Sequence, residues 1–326
     1  MTTKISQGLL QVPYKRNVII NGNFDIWQRG IFFTSAASGT FSADRWRYFK
    51  NGVVVHNLAR VTDVPTYAES GIKSSYSLHV DVTTADTSLA SADYSLLDYR
   101  IEGLDYARLA GGNATLSFWV KAPKTGTYCV AFTNKGSNKS YVSEYTVSAA
   151  NTWEKKTITV PLTETGGTWD YANDVGLEII WTLSAGVAYQ TGTPDTWVTG
   201  YYHSTSNQVN ATDNVANNFY IAQVQLEKGD VATPFEFRYY ADELAVCQRY
   251  FYAAETAGGS GYASAASQTE RALCALIFPT VMRTAPAIST ATVTGTTGGN
   301  TSGSVPTSII VDKTGNILSA TAAGAG

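Results

Sequence analysis

Short runs in which apolar and polar residues alternate occur along most of the chain, and this pattern limits the possible fold more than any other feature. In one run, Leu116, Phe118 and Val120 fall on one side of an extended chain, and Ser117 and Trp119 fall on the other. Successive side chains of a β-strand point to opposite faces, so this run predicts a strand with one face in a core. Clusters of Gly, Asn, Ser and Pro separate it from similar runs. The pattern therefore predicts an all-β protein.

Further strands are predicted at 126–134, 141–147, 157–160 and 175–183, with a polar loop at 135–139. Strands joined by such short polar loops favour antiparallel sheets that pack as a sandwich. Trp46 and Trp181 are assigned to the core or to strand packing. The other residues predicted to face the core are Leu116, Phe118, Ile158, Val160, Val175, Leu177, Ile179 and Leu183.

Helical spacing is rare, and its best instance runs from Tyr239 to Phe251, with Asp242 and Glu243 in the predicted first turn. Acidic side chains are favourable there because they face the positive end of the helix dipole. The following tail is rich in Thr, Gly and Ala, although 272–278 and 308–311 have strand character. We therefore expect a short helix followed by a small C-terminal β module.

These observations give three expected segments. Residues 1–16 form a polar N-terminal attachment arm, residues 17–238 form the sandwich, and residues 239–326 contain the helix and the small module. Large apolar residues are too few in the tail to close a core within one chain. We therefore expect the module to pair with other copies in a homo-oligomer, most simply a trimer.

Composition excludes several classes of protein. Charged residues make up only 15% of the chain and the formal net charge is −3, so nucleic-acid binding is not expected. No apolar run is long enough to cross a membrane, so membrane insertion is not expected either. Residues 1–20 have no apolar segment of signal-peptide type, which favours synthesis and assembly in a cytoplasm. The three cysteines, Cys129, Cys247 and Cys274, lie in apolar runs and are expected to be buried free thiols. The three histidines, His56, His79 and His203, lack the spacing of a zinc site.

Three groups of motifs occur within residues 17–251. They are Asn21-Gly22-Asn23-Phe24-Asp25 with Trp27-Gln28-Arg29-Gly30 and Ala43-Asp44-Arg45-Trp46, then Gln225-Leu226-Glu227-Lys228-Gly229 with 232–238, and the run 243–251. These motifs resemble those of bacteriophage tail-fibre-like and virion-surface proteins. Between the first and second groups, the segments 116–121 and 153–160 resemble jelly-roll carbohydrate-binding modules. The resemblance implies a jelly-roll β-sandwich carried on a virion, with a host-surface glycan as ligand.

The resemblance is incomplete where such modules often carry aspartates for a structural calcium ion. The matching stretch here is 219–224, which includes Ala222 and Gln223. Neutral side chains do not supply the charged oxygen ligands that calcium prefers, although Asp25 remains near the other end. No metal and no cofactor is therefore expected.

Sugars bind to proteins by laying a C–H face on an aromatic ring while polar groups take their hydroxyl groups. Two segments have this composition, 167–172 and the predicted long loop 186–218. The alternative is that their rings close the edges of the sandwich or pack between subunits. The candidate glycan-binding residues are Trp169, Asp170, Tyr171, Tyr189, Trp197, Tyr201 and Tyr202.

Catalysis is not expected. A glycosidase needs two carboxylates placed across the scissile bond, and no spacing links any pair among Asp170, Asp174, Glu178 and Asp195. Glu178 alternates away from the apolar face of its strand, which predicts a position on a solvated sheet face.

The sequence therefore favours a non-enzymatic phage virion protein, in a tail fibre, spike or head fibre, that binds host surface polysaccharide during adsorption. Its N-terminal arm would attach it to other virion proteins. The alternative is a purely structural virion component, such as a capsid decoration, spike base or adaptor, with no glycan binding of its own.

Overall fold

The computed structural model describes residues 15–163, 166–253 and 278–287, together with the backbone of four short strands at 263–265, 272–274, 306–311 and 317–322. The chain divides into two compact units, residues 1–240 and 241–326. The predicted attachment arm lies almost entirely outside the described residues.

The first unit contains a β-sandwich of two antiparallel sheets. Its strands are β1 Phe32–Phe33, β2 Thr40–Phe41, β3 Trp46–Asn51, β4 Val55–Val61, β5 Ser77–Thr84, β6 Tyr94–Glu102, β7 Asn113–Lys121, β8 Gly126–Thr133, β9 Lys139–Val147, β10 Glu154–Pro161, β11 Val175–Ala185, β12 Trp197–Thr199 and β13 Asn218–Lys228. The strand order is β1-β4-β5-β13-β7-β10 in the six-stranded sheet and β12-β9-β8-β11-β6-β3-β2 in the seven-stranded sheet.

The connections give the jelly-roll arrangement. From β5 onward the chain crosses repeatedly between the sheets, so that β13 lies between β5 and β7 and β11 lies between β8 and β6. Two single-turn helices, α1 Tyr67–Ser70 and α2 Gly103–Tyr106, and a 3₁₀ turn Val187–Tyr189 interrupt these connections. The predicted fold class, an all-β jelly-roll sandwich followed by a short helix, is confirmed.

The predicted strand phase is confirmed as well. Leu116, Phe118, Ile158, Leu177 and Ile179 are all buried in one core between the two sheets. The backbone hydrogen bonds of each strand are made within its sheet, so the inward face needs only apolar side chains.

Aromatic rings join the two sheets at the centre of this core. Trp46 of β3 lies 5.1 Å from Trp181 of β11, and Trp181 meets Phe118 of the opposite sheet edge to face at 5.9 Å. Phe24 extends the row from the N-terminal segment, with its ring centroid 4.7 Å from that of Trp46. Both tryptophans are fully buried, as the sequence predicted.

The first group of motifs forms a buried turn that holds this row of rings. The Asn21 side chain accepts a hydrogen bond from Ile26 N (3.0 Å) and donates to Ile26 O (2.8 Å) and Asp44 O (3.1 Å). The Trp46 indole donates to Asn21 O at 3.2 Å. Gly22 is required because a Cβ there would lie 2.1 Å from Val224 O. These residues therefore act in folding.

The closing motif lies against the same segment. Asn17 N donates to the Glu236 carboxylate at 2.9 Å, and Arg238 donates to Ile19 O at 2.9 Å and to Asn17 O. The 233–238 stretch thus fastens residues 17–19 to the sandwich, although the two are more than 200 residues apart in sequence.

The stretch 219–224 of β13 contains a β-bulge, with a register shift between Ala222 and Gln225. The Gln223 amide donates to Ser74 Oγ at 2.9 Å, and Ser74 donates to Asn23 Oδ1 at 2.6 Å. The side chains of Gln223, Ser74 and Asn23 are thus linked by hydrogen bonds between neutral groups. No group of three metal-ligating side chains is found among the described residues.

The helix α3, Tyr240–Gln248, spans the sequence boundary between the two units. It begins one residue later and ends three residues earlier than predicted. The predicted helix was too long at its C-terminal end. Tyr250 N and Phe251 N both donate to Cys247 O, and the three-residue spacing of the Tyr250 bond tightens the last turn, where the helix ends. Cys129 and Cys247 are buried free thiols, as predicted, whereas the side chain of Cys274 lies outside the described part. The tail strands are β14 Ala263–Ala265, β15 Ala272–Cys274, β16 Pro306–Val311 and β17 Ile317–Ala322, paired as β14-β15 and β16-β17.

Two expectations from the sequence are wrong. The 186–218 segment is not a plain loop, because it contains the 3₁₀ turn and β12, which pairs with β9. Glu178 is not solvated. It points out of the sandwich as its alternation predicted, but it is only 4% exposed because arginine side chains cover it.

We expect Leu177→Ala to lower the free energy of unfolding by about 2–5 kcal/mol, because it leaves a cavity between the sheets. The control is Leu104→Ala, which removes the same atoms from a side chain that is 49% exposed. Its effect should stay within about 0.5 kcal/mol. Urea denaturation of both variants checks the prediction, and equal effects would show that the core does not lie on this face of β11.

Candidate functional site

A pocket of about 200 Å³ lies on the outward face of the seven-stranded sheet. It spans the neighbouring strands β3, β6 and β11 and is closed on one side by the chain on either side of β12. Because side chains alternate along β6, Leu96 and Arg100 face this pocket while Leu97 and Tyr99 enter the core. The lining residues are Phe49, Tyr94, Leu96, Arg100, Glu178, Tyr189, Tyr201 and His203.

Aromatic rings that fix one another form the wall of the pocket. Tyr189 stacks on His203 with ring centroids 4.8 Å apart, and Tyr94 meets Tyr189 edge to face at 5.1 Å. Tyr201 also meets Tyr189 edge to face, at 6.4 Å. Such geometry restrains the rings, so a flat ligand would find them already oriented.

Gly186 positions Tyr189 in this wall. The 3₁₀ turn that carries Tyr189 begins directly after Gly186, whose N–H donates to Asp93 O at 2.7 Å. A Cβ at Gly186 would lie 2.1 Å from Ala90 O, so any larger residue would push the turn away from the chain that leads into β6.

His203 contributes a buried polar atom to the pocket. The residue is fully buried, and the Thr182 hydroxyl donates to its carbonyl oxygen at 2.5 Å and contacts its Nδ1 at 3.3 Å. Among the described residues, no group hydrogen-bonds to His203 Nε2. Burial lowers the pKa of His203 to about 3, so the ring is neutral near pH 7.

Two cross-strand ion pairs lie beside these rings. Arg47 of β3 pairs with Asp98 of β6, and Arg100 of β6 pairs with Glu178 of β11 at 2.9 Å; both pairs are direct neighbours in the strand register. Weaker contacts link the pairs, with Arg47 to Glu178 at 3.8 Å and Arg100 to Asp98 at 3.5 Å. Thr133 of β8 donates to the second Glu178 oxygen at 3.0 Å. We call Arg47, Asp98, Arg100 and Glu178 the ion-pair network.

Burial shifts the protonation of the groups around this network. It raises the pKa of Asp98, and the nearby charge of Glu178 raises it further, while Arg47 and Arg100 oppose the shift. Burial, followed by the charges of Glu178 and Asp98, also raises the pKa of the Tyr201 hydroxyl. Tyr201 therefore remains a neutral hydrogen-bonding group across the physiological range.

The candidate residues identified from sequence fall into two places. Tyr189 and Tyr201 line the pocket, and Tyr202 packs beside it on the same face, with its N–H donated to Ser140 Oγ at 2.9 Å. The remaining four, Trp169, Asp170, Tyr171 and Trp197, lie together elsewhere.

This second group closes an edge of the sandwich. Trp169 stacks on Tyr106 at 5.4 Å and meets Trp197 edge to face at 5.5 Å. Both indoles already donate to backbone oxygens, Trp169 to Gly166 O at 2.7 Å and Trp197 to Pro161 O at 2.6 Å. Tyr171 stacks on Tyr106 at 5.6 Å and remains 52% exposed. Most of the surface of this group is used in packing.

The four carboxylates considered for catalysis lie in three separate places. Asp170 accepts from the backbone of Ala172 at 2.8 Å and Asp174 at 3.1 Å, and both aspartates face Lys135. Asp195 accepts from Ser143 Oγ at 2.6 Å, whereas Glu178 belongs to the ion-pair network. They do not form a common site.

Sequence reasoning missed Phe49, Tyr94, Arg100 and His203. The available signal was Asp98-Tyr99-Arg100, in which two charged residues flank a core-facing one in a largely apolar strand. Two opposite charges on the outward face of a central strand indicate partners on the neighbouring strands. Which strands those are depends on the sheet order, which the alternation pattern does not contain.

No family model and no curated protein sequence matches the chain. Among solved structures it is similar to the enzymatically active domain of tailspike protein 4 of bacteriophage CBA120, at 14% identity and a TM-score of 0.33. The match covers 60% of this chain and 21% of that one, so it spans about a fifth of the tailspike domain.

Two further similar structures are matched over nearly their whole length. One is TmCBM61 in complex with β-1,4-galactotriose, at 13% identity and a TM-score of 0.32, covering 66% of this chain and 99% of that one. The other is a protein from Bacteroides thetaiotaomicron VPI-5482 that is assigned to sugar binding, at 14% identity and a TM-score of 0.38. That match covers 66% of this chain and 100% of the other.

Within the described ranges, no helix is long and apolar enough to cross a membrane.

The buried histidines predict a pH dependence of stability. His56, like His203, has its pKa lowered to about 3 by burial, whereas an unfolded histidine titrates near 6.5. As the pH falls below 6.5 the unfolded chain takes up protons that the folded chain excludes, so stability falls. Between about pH 7 and pH 5 each histidine should cost about 2 kcal/mol.

The measurement is urea denaturation at both pH values for the wild type and for His203→Gln. The variant should lose about 2 kcal/mol less than the wild type over this interval. The comparison removes the contribution of other groups, including Asp98, whose raised pKa acts in the opposite direction. Identical pH profiles would mean that His203 is protonated in the folded state.

Proposed function

We propose that this chain is a non-enzymatic bacteriophage virion protein, in a tail fibre, spike or head fibre, that binds a host cell-surface glycan during adsorption. The pocket on the outward face of the seven-stranded sheet carries this proposal. Its wall of Tyr94, Tyr189 and Tyr201 offers aromatic surface, and Arg100 and His203 offer polar atoms beside it. That combination suits a sugar ring, which has apolar faces and a polar edge.

The pocket explains how binding would work without catalysis. A pocket of about 200 Å³ has room for about one or two sugar units, so each copy binds weakly. Several copies held close together on a virion would compensate through avidity. The placement on a virion is supported by the resemblance of the motifs at 21–46 and 225–251.

Of the seven residues named from sequence, Tyr189 and Tyr201 are the proposed contacts, with Tyr202 supporting them. Trp169, Asp170, Tyr171 and Trp197 are a second proposed surface, in which only the ring of Tyr171 is largely exposed.

A glycan array with the purified full-length protein tests the proposal. We expect binding to at least one bacterial envelope glycan, and we expect Tyr201→Ala to weaken it about tenfold, because the ring loses its stacking surface. Tyr67→Ala is the control, since Tyr67 is 71% exposed in α1, outside the pocket lining. Trp169→Ala should lower stability more than affinity, because its ring is packed between Tyr106 and Trp197.

The outcomes separate the two candidate functions. Glycan binding that Tyr201→Ala leaves unchanged would place the site elsewhere, with the Trp169 group as the next location. A folded protein that binds no glycan on the array would favour the purely structural role as a capsid decoration, spike base or adaptor.

The assembly proposed for avidity is also measurable. Light scattering on the full chain should give three times the chain mass of 35.0 kDa. Deleting the residues after Arg283 should reduce this to one chain while the sandwich stays folded, because the proposed pairing strands are removed. A monomer before and after deletion would leave the virion lattice as the source of avidity.

A further inference from the structure

The ion-pair network exposes its positive groups and covers its negative ones. The Arg100 side chain is 41% exposed, whereas those of Glu178 and Asp98 are 6% and 1% exposed. The network contains two cations and two anions, and the guanidinium of Arg100 is its most exposed charged group. Coulomb interactions fall with distance and with solvent screening, so the nearer charge dominates the local potential.

Arg100 keeps hydrogen-bonding capacity for a ligand. Its Nε and Nη2 contact Glu178 Oε1, both at 2.9 Å. Among the described residues, Nη1 has no hydrogen-bond partner within reach. A guanidinium that is already oriented by one carboxylate loses little conformational freedom when it binds another.

Arg47 contacts both carboxylates of the ion-pair network, Asp98 and Glu178. Its guanidinium lies over the Phe49 ring at 4.7 Å and over the Phe41 ring at 5.4 Å while it pairs with Asp98.

His203 gives a second and independent indication of a ligand. Its Nε2 lacks a partner although the residue is fully buried and lines the pocket. Burying a polar atom without a hydrogen bond is costly, and at the edge of a pocket a ligand can supply the missing bond. As a neutral ring, His203 suits a hydroxyl group better than a charge.

We propose that the pocket selects an acidic sugar of the uronic-acid type, with its carboxylate on Arg100 and one of its hydroxyl groups on His203 Nε2. The inference rests on the proposed glycan binding and names the class of sugar. Tyr189 and Tyr201 would hold the apolar ring face, and charge would decide which sugars enter. A carboxylate is favoured because it forms short charge-assisted hydrogen bonds with a guanidinium.

Pairs of ligands that differ only in charge test this on the unmodified protein. The probes are oligogalacturonate, alginate oligosaccharide and hyaluronan oligosaccharide, each compared by calorimetry with its carboxyl-reduced form. Galacto-, cello- and xylo-oligosaccharides are the neutral panel. We expect at least one acidic probe to bind at least tenfold more tightly than its reduced form, and this preference to decrease as sodium chloride is added.

A matched pair of variants tests the role of Arg100. In Arg100→Gln/Glu178→Gln both charges of one pair are removed, so no buried carboxylate is left without a partner. We expect this protein to bind acidic and reduced probes equally. Arg60→Gln is the control, because Arg60 lies over the Tyr76 ring at 4.2 Å, outside the pocket lining. It should keep the preference.

The results distinguish failure of this inference from failure of the proposed function. If neutral or reduced probes bind as tightly as acidic ones and Tyr201→Ala weakens both, the pocket binds glycans but does not select charge, and the inference is wrong. If no probe of either panel binds, both the inference and the proposed pocket are overturned. An acid preference that survives in Arg100→Gln/Glu178→Gln also overturns the assignment to Arg100.

Discussion

The contact between Trp46, Trp181 and Phe118 is the interaction on which the rest of the sandwich depends. Trp46 of β3 lies 5.1 Å from Trp181 of β11 within the seven-stranded sheet, and Trp181 meets Phe118 of β7 in the opposite sheet edge to face at 5.9 Å. Buried aromatic side chains bring the largest apolar areas into a core, and the edge-to-face contact restrains how the sheets can slide. The buried turn at Asn21 holds Trp46 through its indole, which explains why polar motifs near the N-terminus serve folding.

Fixing the inward faces also fixes what the outward faces present. Once Leu97 and Tyr99 enter the core, Asp98 and Arg100 must face outward from β6, where they find Arg47 on one side and Glu178 on the other. Four charges are thereby gathered on three neighbouring strands without any motif in the sequence. The carboxylates become buried beneath the arginines, and an aromatic segment closes the pocket beside them. The alternation of side chains along β6 therefore determines both the packing of the core and the charges of the candidate site.

The candidate residues show where composition is informative and where it is not. Tyr189 and Trp169 both lie in segments rich in aromatic and polar residues, so the sequence treats them alike. In the structure Tyr189 is part of a pocket wall, whereas Trp169 is packed between two rings and its indole is satisfied by Gly166 O. The difference lies in which partners each ring finds, and those partners are distant in sequence. Glu178 shows the same limit, since its outward direction was predictable but its burial was not.

The sequence by itself determined the all-β class, the inward residues of β7, β10 and β11, the buried tryptophans and the short helix, because alternation and helical spacing are local properties of the chain. The tertiary structure alone decided the order of strands in each sheet, and with it the pairing of Arg47 with Asp98 and of Arg100 with Glu178. It also decided that Tyr189, Tyr201 and His203 meet over β6. These contacts join segments far apart in sequence, and long-range pairing is set by the packing of the whole sandwich.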